Sequence, residues 1–142
     1  MILIAQLLIG TVMLLVALLH FYWSFGGRKW SNAVIPTKQG AEKAFMPGPI
    51  MTFSVALIFL SVAVYFFLLA NIFPFSIPSY FSGWATWVIA GGFILRAMGD
   101  FRYFGLFKTI RNTTFAKMDS RYYTPLVFVL GILSLLSAIQ TL

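Results

Sequence analysis

The chain contains no cysteine, a single histidine and only three acidic residues among 142. Without cysteine there is no disulfide framework, no thiol redox chemistry and no thiolate metal site. The carboxylates, Glu42, Asp100 and Asp119, are scattered over separate segments, so with one histidine no ligand-spaced metal motif can be written, and no metal or cofactor is expected. Nucleophile-elbow, Walker and Gly-rich dinucleotide motifs are missing too, and Gly91-Gly92 reads as helix packing. Charge of either sign is scarce at 9%, against the ~25% of a soluble domain. Polar side chains are therefore too few to cover a globular surface. What is abundant is apolar: 61% hydrophobic and 18% aromatic residues, with a mean hydropathy of +0.93. The composition is that of an integral membrane protein. Each spanning helix with its connection consumes at least ~25 residues, which sets a ceiling of four spans and excludes a many-helix transporter acting alone.

From Ile2 to Leu19 the only clearly polar residues are Gln6 and Thr11, and the run continues through His20, Tyr22 and Trp23 to Phe25. A cleaved signal peptide would need basic residues before this run and a small-residue cleavage site after it, so helix 1 is expected to persist. No residue between Lys43 and Arg96 is charged, and Asn71, Pro74, Pro78 and Ser79 divide that stretch in two. The expectation is one transmembrane domain over 1–142, an all-α bundle with helices at about 2–25, 50–73, 80–99 and 124–142. Pro49 suits the first turn of the second helix, and Thr124 reads as the cap of the fourth.

Basic residues fix the expected orientation. The first connection carries Arg28, Lys29, Lys38 and Lys43, the third Arg102, Lys108, Arg111, Lys117 and Arg121, while the second connection and both ends have neither Lys nor Arg. Cytoplasmic loops retain such residues, which places both termini outside and two basic loops inside. The formal charge of +7 is accordingly a topology signal and a contact for anionic headgroups rather than a nucleic-acid footprint.

In lipid, polar side chains turn toward protein or a wet cavity. Helical spacing groups Gln6, His20 and Ser24 on helix 1, Ser54, Ser61 and Tyr65 on helix 2, Gly92, Arg96, Gly99 and Tyr103 on helix 3, and Gly131, Ser134 and Ala138 on helix 4. Arg96 and Asp100, one turn apart, are placed to pair, with His20 at a comparable depth. Arg96 reads either as a ligand group or as an interfacial anchor. The segment from Asp100 to Tyr123 mixes aromatics and bases without a clean helical face, which allows a folded-back lid, a re-entrant segment or a solvated interfacial loop.

The pieces His20-Phe21-Tyr22-Trp23 with Gly26-Gly27 and Trp30, Pro36, Pro47, Arg96-Ala97-Met98-Gly99-Asp100-Phe101-Arg102-Tyr103 with Gly105 and Lys108, Thr114-Phe115-Ala116, Asp119 and Tyr123-Thr124-Pro125-Leu126 run through nearly the whole chain. In their order the chain resembles an uncharacterised family of small four-span bacterial membrane proteins, classed as a domain of unknown function. The resemblance implies a multi-pass protein of the bacterial cytoplasmic membrane and carries over no activity.

The leading functional reading is ligand recognition in a polar pocket near the cytoplasmic leaflet, floored by His20, Arg96 and Asp100. Arg96 with Arg102 or Lys108 holds an anionic lipid-like or amphipathic molecule, Trp23, Trp30, Phe101 and Tyr103 flank its apolar part, and Asp119 and Tyr123 order the loop. A second reading is an intramembrane enzyme acting on a lipid-like substrate, with His20 as general acid or base oriented by Asp100. A third is a transport or scaffold subunit of a homo-oligomer or of a larger membrane partner.

Overall fold

A computed structural model describes residues 1–36, 38 and 43–140; Glu42 and residues 141–142 at the end of the expected fourth helix lie outside them. Helix α1 spans Ile2–Ser24, α2 is the single turn Ser31–Val34, α3 spans Pro49–Leu69 and α4 spans Ser79–Met98. The short α5, Thr114–Met118, runs through a π-helical stretch, Asp119–Tyr123, into α6, Thr124–Gln140. No β-strand forms among the described residues. The protein is all-helical, and three helical segments, Ile2–Ser24, Pro49–Leu69 and Thr114–Gln140, are long and apolar enough to cross a membrane. Helix α4 has 20 residues but a lower mean apolarity and carries Arg96 in its last turn.

Local chemistry sets most boundaries. Helix α3 begins with Pro49 behind Gly48, where a missing N–H costs nothing. It stops at Leu69 rather than near Phe73 because Asn71 takes φ 56. There the Asn71 and Ile72 amides turn back to the carbonyls of Leu68 and Phe67, a left-handed C-cap that asparagine tolerates. The last helix departs further from expectation. Thr124 is not a cap: the cap is Thr113, whose hydroxyl accepts the Ala116 amide at 3.1 Å, so the helical path starts ten residues earlier, at Thr114. Pro125 sits inside that path. It has no N–H for the preceding turn and its ring crowds the carbonyl four residues back, and the π-helical stretch widens the helix just before it, with the Thr124 amide reaching the Asp119 carbonyl.

Helix α1 packs along α3 and α4 along α6, and the two pairs join where α1 meets α6. The core is Ile9 and Met13 of α1, Ala63, Tyr65 and Phe66 of α3, Ala85 and Phe93 of α4, and Leu130 of α6. In lipid, whose tails are as apolar as these side chains, close packing rather than water exclusion would hold such helices together. That is why small residues occupy the tightest places: a Cβ on Gly10 would lie 2.7 Å from the Phe67 ring, and one on Gly131 would lie 2.7 Å from Ile94 Cδ1.

Buried polar groups bridge the helices. The Gln6 side-chain amide donates to Ser137 Oγ at 3.1 Å between α1 and α6, and the Tyr65 hydroxyl, 2.6 Å from Thr86 Oγ1, also donates to the Ser82 carbonyl at 2.9 Å. Gly131, Ser134 and Ala138 are buried as a strip. The helix 2 grouping splits, however: Tyr65 is interior, whereas Ser54 and Ser61 face outward and bond back to the carbonyls of Ile50 and Leu57. A serine hydroxyl that satisfies itself on its own helix needs no interior partner. Gly92 is likewise exposed.

The element order brings the α1–α3 and α4–α6 connections to one end of the bundle, where α2 packs on α5 and the Tyr123 hydroxyl reaches the Ala33 carbonyl at 3.4 Å. Every Lys and Arg of the chain belongs to these two connections, to α5 and the π-helical stretch, or, as Arg96, to the last turn of α4.

Candidate functional site

The connection after α4 is a tight loop closed at its base by two glycines. Gly99 and Gly105 have φ 92 and 88, and a Cβ on Gly99 would stand 1.8 Å from the Phe104 carbonyl oxygen, so only glycine permits this approach of backbone to backbone. The amides of Leu106 and Phe107 then bond to the carbonyls of Ala97 and Met98, folding the chain back onto the helix end.

Asp100 lies inside the loop. Its Oδ1 accepts the backbone N–H groups of Arg102, Tyr103 and Phe104 at 3.0, 2.7 and 3.1 Å. Partial burial works against its charge, and the three backbone donors outweigh it, holding the carboxyl below the usual aspartate range. Asp100 is therefore a turn-forming residue. The pairing with Arg96 expected from their spacing does not form, because these nearer amides take the carboxylate.

Arg96 instead donates from Nη2 to Asp119 Oδ1 at 2.8 Å and lies over the Phe104 ring, 4.4 Å from its centre. Asp119, fully buried, accepts three more donors on Oδ2: Lys108 Nζ at 2.8 Å, the Gly105 amide at 2.9 Å and the Thr124 hydroxyl at 2.9 Å. Lys108 is 4% exposed and also donates to the Gly105 carbonyl at 3.1 Å. An ionised carboxylate offers about four acceptor positions, and Asp119 takes four donors, one on Oδ1 and three on Oδ2. Two buried opposite charges in such contact are tolerable together and costly apart. The carboxylate thus clasps α4, the returning loop and the base of α6.

With one carboxylate against Arg96 and Lys108, the clasp keeps a surplus positive charge. Arg111 adds another: its Nε donates to the Lys108 carbonyl at 3.3 Å. A half-open recess of about 120 Å³ lies beside them, lined by Gly105, Leu106, Lys108, Arg111, Ser120 and Thr124. It has room for a few waters or one small oxyanion, and Lys108, Arg111, Ser120 and Thr124 are the polar residues of its lining. Among the described residues Arg96 Nη1 is buried with no hydrogen-bond partner.

Arg96, Lys108 and Asp119 are brought together. The other expected residues lie elsewhere. His20 hydrogen-bonds the Val16 carbonyl on its own helix through Nδ1 at 2.8 Å and packs edge-on against Trp23 and Phe59. Among the described residues no carboxylate orients it, since Asp100 and Asp119 are engaged with other donors, so the acid–base pair of His20 with Asp100 is not formed. Trp23 donates to the Lys29 carbonyl and Trp30 is exposed in a left-handed turn. Arg102 lies over the Tyr103 ring at 5.3 Å, away from the clasp, and Tyr123 packs on Phe115. Sequence reasoning missed the Gly105 amide, the Thr124 hydroxyl, Arg111 and Ser120. Gly105 joins because the loop folds back onto the end of α4, and Thr124 because a π-helical stretch sets its register, and no periodicity rule reports either.

No curated protein and no solved structure matches the chain. Residues 13–134 match a family described as proteins of unknown function (DUF3995), a stretch that contains the clasp and the recess, and the chain belongs to that family.

Proposed function

We propose that this is a four-span protein of the bacterial cytoplasmic membrane, with both termini outside, that binds an anionic, lipid-like or amphipathic molecule at the recess beside the Asp119 clasp. The observation that carries the reading is the surplus of cationic groups at an accessible recess: Lys108 and Arg111 line it together with Ser120 and Thr124, while Asp119 is already engaged by four donors. Spent on four donors, Asp119 neutralises a single charge and offers the recess no repulsive face. Concentration of every Lys and Arg at one end of the bundle supports this orientation, in which the recess lies at the level of the inner headgroups. Bound there, a phosphate or carboxylate group gains charge-assisted hydrogen bonds, and its apolar part stays in lipid.

Native mass spectrometry of the gently purified protein tests this, with wild type beside Arg111→Ala and Arg96→Ala. A defined bound mass, reduced in Arg111→Ala although that variant keeps the wild-type melting point, is the expected result. A bare monomer in all three samples overturns the reading. A bare oligomer does so in favour of an assembly subunit.

A further inference from the structure

We infer that the loop over 101–107 is an interfacial wedge whose exposed aromatic face lies in the anionic leaflet of the same membrane; this rests on the reading that the helices cross that membrane. Of the loop's exposed apolar residues Leu106 also lines the recess, whereas Phe101 and Phe107 do not. Phe101 adopts φ 61, a left-handed conformation that crowds the Cβ of a non-glycine residue against its own backbone. That strain does not serve burial. Phe101 is 60% exposed and stacks on Phe107, 55% exposed, with ring centres 6.0 Å apart, and Leu106 between them in sequence is 57% exposed. Three large apolar side chains are thus held together outside the core by a backbone that works to hold them there.

The surroundings say what covers them. Asp100 locks the turn through three amides, the Asp119 clasp fixes Gly105 and Lys108 on either side of Leu106 and Phe107, and the loop is thereby rigid at both ends. The exposed charged side chains on the same connection and on the start of the following helix are cationic apart from Asp100: Arg102, Arg111, Lys117 and Arg121. Asp100 itself is turned into its own amides. Apolar rings flanked by cations complement a bilayer surface, where the rings enter the acyl boundary and the cations meet acidic headgroups. A protein partner would need an acidic rim around an apolar socket, whereas the bilayer supplies both along its whole surface and is already at hand.

Because the chain has no cysteine, single reporters can be introduced cleanly. Full-length protein carrying a fluorescent thiol probe at Leu106→Cys, at Thr109→Cys or at Val88→Cys is placed in nanodiscs of zwitterionic lipid with or without anionic lipid. Quenching by lipids spin-labelled near the headgroup or deep in the chain is compared with quenching by aqueous iodide. Val88, on the exposed face of α4, reports spanning itself. The expected result is deep lipid quenching at 88, shallow lipid quenching with several-fold weaker iodide quenching at 106 than at 109, and a larger difference when anionic lipid is present. Iodide quenching at 106 equal to that at 109, with 88 still lipid-quenched, overturns the wedge and leaves the spanning reading intact. Loss of lipid quenching at 88 defeats the spanning reading instead. Protection of 106 from both quenchers, with a cross-linkable second chain, overturns the wedge in favour of a protein contact.

Discussion

The guanidinium of Arg96 and the carboxylate of Asp119 meet at 2.8 Å across 23 residues of sequence. They tie the last turn of α4 to the start of the final helix, and the intervening loop closes around the bond. Removal of the carboxylate leaves Lys108 buried without its counter-ion. Asp119→Asn is therefore expected to destabilise by about 3–5 kcal/mol, the cost of breaking a buried ion pair from one side. Thermal melting in detergent reads the loss, and adding Lys108→Met to Asp119→Asn is expected to recover part of it, because the unpaired charge is gone. Equal melting points for wild type and Asp119→Asn would show that the clasp contributes nothing.

The base of the loop gives a sharper steric test. Gly99→Ala forces a methyl group onto the Phe104 carbonyl and strains φ 92, while Gly26, also at positive φ, has open space around its missing Cβ. Gly26→Ala is expected to cost about 1–2 kcal/mol for its backbone conformation alone. Gly99→Ala is expected to cost more than that and to expose the loop to proteolysis. Similar cleavage rates in the two variants would contradict the close approach.

Asp100 makes the same loop acid-sensitive. Its folded-state carboxyl titrates below the unfolded value, so the stability it contributes is complete above the ordinary aspartate range and is lost as pH falls through the lowered folded value. The difference in melting point between wild type and Asp100→Ala is expected to be full near about pH 6 and to shrink steadily toward about pH 3. A difference that ignores pH would mean that the three amides do not depend on the charge.

Interior hydrogen bonds between helices predict smaller effects. Tyr65→Phe removes the bond to the Ser82 carbonyl, which keeps the Thr86 hydroxyl as a donor at 2.8 Å, so the expected cost is about 0.5–1.5 kcal/mol. Ser137→Ala strands the Gln6 amide between α1 and α6 and is expected to cost about 1–3 kcal/mol, recovered in part by adding Gln6→Leu. Equilibrium unfolding in mixed micelles compares wild type, Tyr65→Phe, Gln6→Leu, Ser137→Ala and the Gln6→Leu, Ser137→Ala double variant. Simple addition of the Gln6 and Ser137 effects would deny their pairing.

Much of the architecture could be read directly. Uncharged runs located the four long helices, and Pro49 marked the start of one to the residue. The site was legible in its membership more than in its wiring. Arg96, Lys108 and Asp119 stood out because a charge in or beside an apolar helix needs a reason, yet spacing joined Arg96 to Asp100, its neighbour by one turn. Spacing alone does not reveal that three consecutive amides compete for Asp100, nor that glycines at 99 and 105 let the loop return to deliver Lys108. Thr124 followed by Pro125 carried the pattern of a helix start and is an interior position instead, because the stretch ahead of it is wound more widely than any 3.6-residue rule assumes. Serines 54 and 61 were misread for the opposite reason: a hydroxyl can close on its own helix, and then its facing carries no information.

The wide turn ahead of Pro125 acts on angular phase. In an unbroken α-helix Asp119 would sit about 120° away from Gly131 and about 100° from Ala138 around the axis, at 100° per residue. One residue absorbed by a π-bulge cuts these offsets to about 20° and to nearly zero, which aligns the carboxylate with the small-residue seam that meets α4. Deleting any single residue between Ser120 and Tyr123 should restore ordinary winding and swing Asp119 out toward the lipid. The clasp is thus keyed to a count of residues as much as to their chemistry, and a chain one residue shorter here could keep every side chain of the site and still lose the site.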